Sequence, residues 1–501
     1  MKTYNKQEII DEYNNLCKLS NKKLTRAEYR KLDTSYSSTF IESIWGNWTN
    51  FVAEAEDTLL VTRTTLIKSF NNCTNKIVIS YVNDGSTINE DFYYTLRNYC
   101  HINNAELGIL WGKSIKKNKS FDKNTFDLLR PYLATKFIFE KDNSCLAQDF
   151  LIPSSQKNPL LNLDKLSTDI KTIIVGSNKQ YLQILPYKQY DNYRVACSTG
   201  TLSIIDYKDT VAGHIDSKYH KFGAILLDWD ENQSRYIVRN LIYNDDYLYD
   251  LDKKYTSKNC EKVDNLPGLV LGDLHLPDED IDALNKTKEF INKYKPKYTM
   301  LHDIASWNSI CHHNFGKALF NAQNITFENA CLGNEMKAVV DRIWDLSKDC
   351  PNTEFKIVNS NHDAFVEKWL DTGEFVKDKT NARLGAELFM DYCDGKHILD
   401  QHLPKNFKYL PKNEEFKICG FTVSEHGDAG ISGANGSPNA FNKTFENCIV
   451  GHTHSCEIRE KTFYVGTLSK LMVNYNQKGM TKWVHANAII HENQTVQLIL
   501  I

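Results

Sequence analysis

Short apolar runs recur along the C-terminal half of the chain, and each stops at a cluster of histidine, aspartate or asparagine. They are LPGLVL before GDLH at 272–275, KYTML running into LHDI at 301–304, EFKIV before SNHD at 360–363, GFTVS before EHGD at 425–428, and ENCIV before GHTH at 451–454. Runs of this length closed by polar residues predict buried strands whose carboxyl ends open onto site loops. A sheet built from them carries Asp273, His275, Asp303, Asn361, His426, His452 and His454 into one crevice.

Upstream the pattern changes. Between residues 57 and 262, NKIVISYV predicts a strand, NEDFYYTLRNYCH a helix, and AELGILWG and KTIIVG two further strands, while FGAILLDWDENQSRYIVRNLIYN reads as a hairpin turning at DENQ. This is an α/β or α+β accessory domain in which no internal repeat stands out. NDGS at 83–86 lacks the glycine spacing of a phosphate loop and reads as a turn, and KSIKKNKSFDK at 113–123 as a solvated loop. The charged stretch and Pro-Gly pair around 264–270 mark a boundary, so a third domain spans 263–501. At the other end, residues 24–56 predict two short helices joined by a turn, with GNW opening another. Leu24, Tyr29, Tyr36, Phe40, Ile44, Trp45, Trp48, Phe51 and Val52 would form the small core of a head spanning 1–56.

The chemistry of the five motifs is that of a metal site. Carboxylate and imidazole together suit Mn²⁺, Fe²⁺ or Zn²⁺, and none of the motifs contains a cysteine that would favour a softer ion. Seven ligands exceed what one tetrahedral ion uses. Two ions sharing a carboxylate would use them all, about 3.5–4 Å apart as in two-metal hydrolases.

The ordered motifs resemble the calcineurin-like metallophosphoesterase family, with its D-x-H, G-D, G-N-H-D/E, H and G-H-x-H pattern, over residues 266 to 501. The resemblance implies an α/β fold with an αββα sandwich at the C-terminus. It also implies one ion held by Asp273, His275 and His454, a second held by Asn361, His426 and His452, and Asp303 bridging them. His362 would be a non-ligand group assisting the leaving oxygen, and Asp363 would either orient His362 or close a turn. The chain departs from the pattern at His302 and Ser360, where the family usually has glycine. It also lacks the G-D-x-x-D-R-G signature of the phosphoprotein phosphatases, reading His302-Asp303-Ile304-Ala305-Ser306-Trp307 instead. The glycine-rich segment 427–438 is either a phosphate-approaching loop or a plain surface loop. His312 and His313 read as an exposed helix face, with a place in the cleft as the other reading.

The head resembles the small helical repeat found beside homing endonucleases, a helix-turn-helix-like DNA-binding unit. Lys22, Lys23, Arg26, Arg30 and Lys31 would supply its phosphate contacts. The whole layout is similar to that of the host-DNA-degrading nucleases of T5-like bacteriophages. These resemblances imply a metal-dependent DNase with two divalent ions, Mn²⁺ favoured over Mg²⁺, Fe²⁺ or Zn²⁺. They imply DNA as partner, a homo-oligomer as a further possibility, and the host cytoplasm as the place of action. The competing readings are a nucleotide or cyclic-nucleotide phosphodiesterase, a phosphoprotein phosphatase, and a DNA-binding scaffold without activity.

Composition limits these readings. With 60 Lys and Arg against 63 Asp and Glu, the net charge of −3 argues against a chain coated in nucleic acid and requires any DNA affinity to be local. Thirteen cysteines without a CxxC pair predict reduced thiols, and the absence of a long apolar run predicts a cytoplasmic protein with no membrane partner.

Overall fold

The run Lys76–Asn83 carries two alternating sets of apolar side chains, and the fold uses both. Val78 and Val82 pack with Phe92, Leu96 and Tyr99 of the helix Glu90–Asn103, while Ile77, Ile79 and Tyr81 share a core with Ile174 and Val195 of a second sheet. Burying each such side chain contributes about 1.5–3 kcal/mol, so a strand apolar on both faces is stable only as an inner layer between helix and sheet. The computed structural model describes residues 5–20, 22–55, 65–113, 121–152, 156–188, 192–205, 207–314, 317–326, 330–472 and 479–501. Most of the lysine-rich stretch at 113–123 lies outside them. Among the described residues no helix is long and apolar enough to cross a membrane.

The fold is mixed α/β, and its strands fall into two lobes. In the first, β1 (Lys76–Asn83), β2 (Glu106–Gly112) and β3 (Leu133–Ala134) run parallel. They are followed by β4 (Lys136–Phe139), β5 (Cys145–Gln148), β6 (Thr172–Val175), β7 (Leu182–Leu185) and β8 (Arg194–Ser198) of a facing sheet. The hairpin β9 (Phe222–Asp230) and β10 (Arg235–Asn244) then adds antiparallel to β1, and the chain turns at DENQ as the sequence predicts.

The second lobe repeats this path. Parallel β11 (Gly268–Val270), β12 (Tyr298–Leu301), β13 (Glu354–Ile357) and β14 (Phe407–Tyr409) form its first sheet. Then come β15 (Lys417–Ile418), β16 (Phe421–Thr422), β17 (Cys448–Val450), β18 (Glu457–Arg459) and β19 (Thr462–Tyr464) of the facing sheet, and the hairpin β20 (Ala486–Ile490) and β21 (Val496–Leu500) adds antiparallel to β11.

The two lobes therefore follow the same path, a repeat of topology that the sequence reading did not find. Their facing sheets join into one eleven-stranded sheet, ten strands of which, in the order β4-β5-β6-β8-β7 then β18-β19-β17-β16-β15, form a palindrome about an antiparallel β7–β18 ladder, while the eleventh, Ile67–Phe70, pairs with β4 at one edge and has no counterpart at the other. That is a local twofold. The tetrapeptide GTLS occurs at 200–203 and again at 466–469. Its second leucine-flanked amide makes the same bond in each lobe: Leu202 N–H donates to the Tyr81 carbonyl and Leu468 N–H to the Asp273 carbonyl, both at 2.8 Å. Tyr81 thus occupies in the first lobe the place of Asp273 in the second. Asn240 of β10 ties the lobes across their other edges, donating to the Val496 carbonyl at 2.8 Å and accepting from Leu498 N–H at 2.9 Å.

The head packs four helices, Lys6–Leu19, Arg26–Tyr29, Ser38–Trp45 and Trp48–Ala55, around Ile9, Tyr13, Tyr29, Ile41, Trp45 and Phe51. The first of these helices escaped the sequence reading, and Phe40 is a correction. Ser37 caps the third helix, which sets Ile41 and Trp45 four apart on the inner face. Phe40 stays 37% exposed, stacked on Tyr36.

Candidate metal centre

Each ligand candidate lies just past the carboxyl end of a strand, and the strands belong to two facing sheets. β11, β12 and β13 lead to Asp273 with His275, to Asp303, and to Asn361; β16 and β17 lead to His426 and to His452 with His454. The backbone turns sharply at these points. His275, Asp303, His452 and His454 hold φ of 50°, 42°, 71° and 55°, the left-handed region that costs a non-glycine residue about 1–3 kcal/mol. Four such residues at one place indicate that the surrounding structure imposes the geometry. Gly451 shows how tight the approach is: a Cβ there would lie 2.2 Å from Asp273 Oδ1 and 3.1 Å from His302 Cβ.

Two groups of side chains meet. In the first, His454 Nε2 lies 3.2 Å from Asp273 Oδ2 and 2.9 Å from His275 Nε2, which is itself 3.5 Å from Asp303 Oδ2. In the second, Asn361 Oδ1 lies 3.1 Å from His426 Nε2 and 3.2 Å from His452 Nδ1, and His426 Nε2 lies 3.2 Å from the same Asp303 Oδ2. One carboxylate oxygen faces both groups.

The first group fits a cation. Asp273, His275, Asp303 and His454 are all buried, with ligand atoms within 4.8 Å of one another. Asp273 Oδ1, Asp303 Oδ1 and His454 Nδ1 are buried without a hydrogen-bond partner. Burial pushes the His275 imidazole down to about 3, so it is the neutral, metal-binding form of the ring that faces His454 Nε2 at 2.9 Å. Buried carboxylate and imidazole side chains converging this closely are what a divalent ion satisfies. These four residues can bind a metal ion.

The field at the site is set by carboxylate against imidazole. Burial opposes the charge on Asp303, yet His426, His362 and His275 outweigh it and hold the carboxyl well below its ordinary range. Asp273 is lowered in the same way against burial, by His454 and His426. His426 shows the reciprocal effect: burial opposes its protonation, but Asp303 and Asp273 push it up to about 9.

His362 is half-buried, with its ring 4.5 Å from that of His275. Its Nδ1 donates to the Ser306 carbonyl at 3.1 Å, which fixes the tautomer and makes Nε2 the nitrogen that can exchange a proton. Asp363 does not orient it. The Asp363 carboxylate accepts the amide and the hydroxyl of Ser360, both at 3.2 Å, and so closes the turn that opens the helix Asp363–Asp371. Burial and Asp303 push its carboxyl up to about 7. His302 is fully buried with Nδ1 3.4 Å from His426 Nδ1, behind the second group.

Two contributors carried no sequence signal. Ser306 acts through a backbone oxygen, which every residue has. Trp483 rests its ring 4.2 Å from that of His454, arriving from a segment well beyond the last motif. His312 and His313 sit on a 3₁₀ turn with rings 5.3 and 5.7 Å from Phe365, whose ring is 4.7 Å from His362. The glycine-rich segment folds on itself, with Gly430 N–H donating to Ala434 O at 2.6 Å and Gly436 N–H to Asp428 O at 2.8 Å. In the head, Arg26 pairs with Glu42, Lys22 with Glu28 at 2.7 Å, and Arg30 donates to Ser38 at 2.8 Å, while Lys23 and Lys31 are exposed. The basic patch is thus partly neutralised from within.

The chain is similar to Protein A1 of Escherichia phage T5, with 26% identity over 465 residues that span 85% of this chain and 81% of that protein. No family model matches the chain. No solved structure matches it.

Proposed function

We propose that this protein is a metal-dependent phosphodiesterase that hydrolyses DNA at a two-ion centre. The observation that carries the reading is the Asp303 carboxylate, one oxygen of which lies 3.5 Å from a nitrogen of the first group and 3.2 Å from a nitrogen of the second. Asp273, His275 and His454 would hold one ion, Asn361, His426 and His452 the other, and Asp303 both. When bound, the ions supply positive charge at the phosphoryl oxygens and lower the pKa of the attacking water. The chain's own part is to hold them in a buried frame and to deliver a proton from His362 Nε2 to the departing sugar oxygen. The choice of Mn²⁺ follows from the mixture of carboxylate, amide and imidazole. DNA is favoured by the helical head's likeness to DNA-binding hairpins and by a layout similar to phage host-DNA-degrading nucleases.

The direct test is incubation of the purified protein with plasmid, linear duplex and single-stranded DNA under Mn²⁺, Mg²⁺ or EDTA. Cleavage with Mn²⁺ and none with EDTA is expected, with two ions per chain by elemental analysis. Hydrolysis confined to mononucleotides or cyclic nucleotides would favour the small-molecule reading, and an active preparation holding one ion per chain would end the two-ion mechanism.

The pKa of His426 leads to a further expectation. A metal displaces the proton that this imidazole retains up to about pH 9, so affinity at the second group should rise by up to about tenfold per pH unit from neutrality to about pH 9 and then level off. Calorimetric titrations across that range check the slope, and a flat affinity contradicts it.

Deleting residues 1–56 should weaken DNA binding and flatten its salt dependence, because phosphate contacts release counterions. Hydrolysis of bis-p-nitrophenyl phosphate, too small to reach the head, should persist. Equal salt slopes for both forms would make the head a structural element.

A further inference from the structure

The seam between the lobes opens beside the metal centre. A hollow of ≈ 460 Å³ is lined by Gln183 and Ile184 from β7 of the first lobe, by Thr453, Glu457 and Arg459 from the second, and by Lys482 and Trp483. Thr453 lies between the ligand candidates His452 and His454, and the indole of Trp483 is the ring against His454. One end of the hollow is therefore the wall of the metal centre. A second hollow of ≈ 190 Å³, lined by Asn158, Leu161, Asn162, Asp164 and Pro186 among others, shares Gln183 and Lys482 with the first. The second hollow therefore adjoins the first on the side of the first lobe.

The lining is specific in kind. In the first hollow Arg459 and Lys482 are cations, opposed by the carboxylate of Glu457, whose Oε1 lies 3.9 Å from the Arg459 guanidinium, and the second hollow adds the carboxylate of Asp164. An aromatic ring at the end nearest the metal centre, cations behind it and an adjoining second hollow match what a flexible polyanion with flat bases needs, whereas a small apolar ligand would use almost none of it. The second hollow beside the first favours a strand over a mononucleotide.

We propose that the seam is the binding track for a single strand of DNA leaving the metal centre. Trp483 is the stacking surface for the base beside the scissile phosphate, and Lys482 and Arg459 contact the next phosphates. The proposal rests on the DNase reading above and adds to it a route and a specificity. It also gives the first lobe, which holds no His/Asp cluster of the metal-binding kind among its described residues, a share in the reaction.

The test compares Lys482→Glu, Trp483→Ala and Trp483→Phe with the wild type, each in Mn²⁺. The readout is kcat/KM for a single-stranded oligothymidylate divided by kcat/KM for bis-p-nitrophenyl phosphate. Removing one stacking or phosphate contact is expected to lower this ratio about tenfold through KM for the oligonucleotide, with Trp483→Phe restoring most of the loss. An unchanged ratio in Lys482→Glu and Trp483→Ala, in an enzyme that does cut DNA, overturns the track and leaves the DNase reading intact. A Trp483→Ala protein that loses bound metal and both activities together shows that the indole merely props His454, which also overturns the stacking role. A wild type that hydrolyses the small ester but no DNA removes the underlying reading and the track with it.

Discussion

Asp303→Ala is expected to abolish metal retention and turnover together. Asp303 is 1% exposed, and it is the one carboxylate lying near both imidazole groups, at 3.5 Å from His275 and 3.2 Å from His426. Its charge is stabilised against burial by three histidines, so removing it leaves those imidazoles converging on a site with half its anionic charge gone. Loss of a side-chain proton donor typically slows an enzyme about 10²–10⁴-fold, and dismantling the ion frame should exceed that. Elemental analysis after desalting reads the metal, and hydrolysis of bis-p-nitrophenyl phosphate reads turnover. Asp303→Asn, nearly the same shape without the charge, guards against a folding artefact. A variant of either kind that retained two ions and normal turnover would remove Asp303 from the centre.

His362→Ala should separate what Asp303→Ala joins. The imidazole belongs to neither metal group and is held by the Ser306 carbonyl at 3.1 Å, so its loss should leave bound metal in place while DNA cleavage falls about 10²–10⁴-fold. The decisive comparison is between leaving groups. A p-nitrophenolate departs without a proton, whereas a sugar alkoxide needs one, so the defect should be large on DNA and small on the nitrophenyl ester. Equal defects on both would mean that His362 serves the phosphoryl group through its charge and does not donate the proton.

The two predictions draw on unequal kinds of legibility. The second lobe could be read because each strand is an apolar run that halts at residues of unmistakable chemistry, and the strands at Gly268–Val270, Tyr298–Leu301, Glu354–Ile357, Phe421–Thr422 and Cys448–Val450 lie where those runs do. The repeat of topology could not, because the first lobe has the alternation without the chemistry. Where the second lobe has Gly451-His452-Thr453-His454 the first has Gly176-Ser177-Asn178-Lys179, and apolar alternation alone is common to countless sheets. Only GTLS is shared text, and four residues are too few to signify without the fold. Asp363 and Phe40 mark a different limit. Spacing placed Asp363 next to His362, but which of two neighbours a carboxylate bonds depends on the local turn, and where the helix capped by Ser37 begins decides that Ile41 rather than Phe40 enters the core.

Tyr81 in the first lobe, where the second has Asp273, has a consequence for the product. A Cβ at Gly176 would lie 2.2 Å from the Tyr81 ring, as one at Gly451 would lie 2.2 Å from the Asp273 carboxylate, so the tyrosine ring takes in the first lobe the space that the carboxylate takes in the second. Two working halves about a twofold would face the two antiparallel backbones of a duplex and sever both in one encounter. On the DNase reading proposed above, one centre per chain makes nicks the expected product: each binding event would open one backbone, and a double-strand break would need a second nick opposite the first or the centre of another chain.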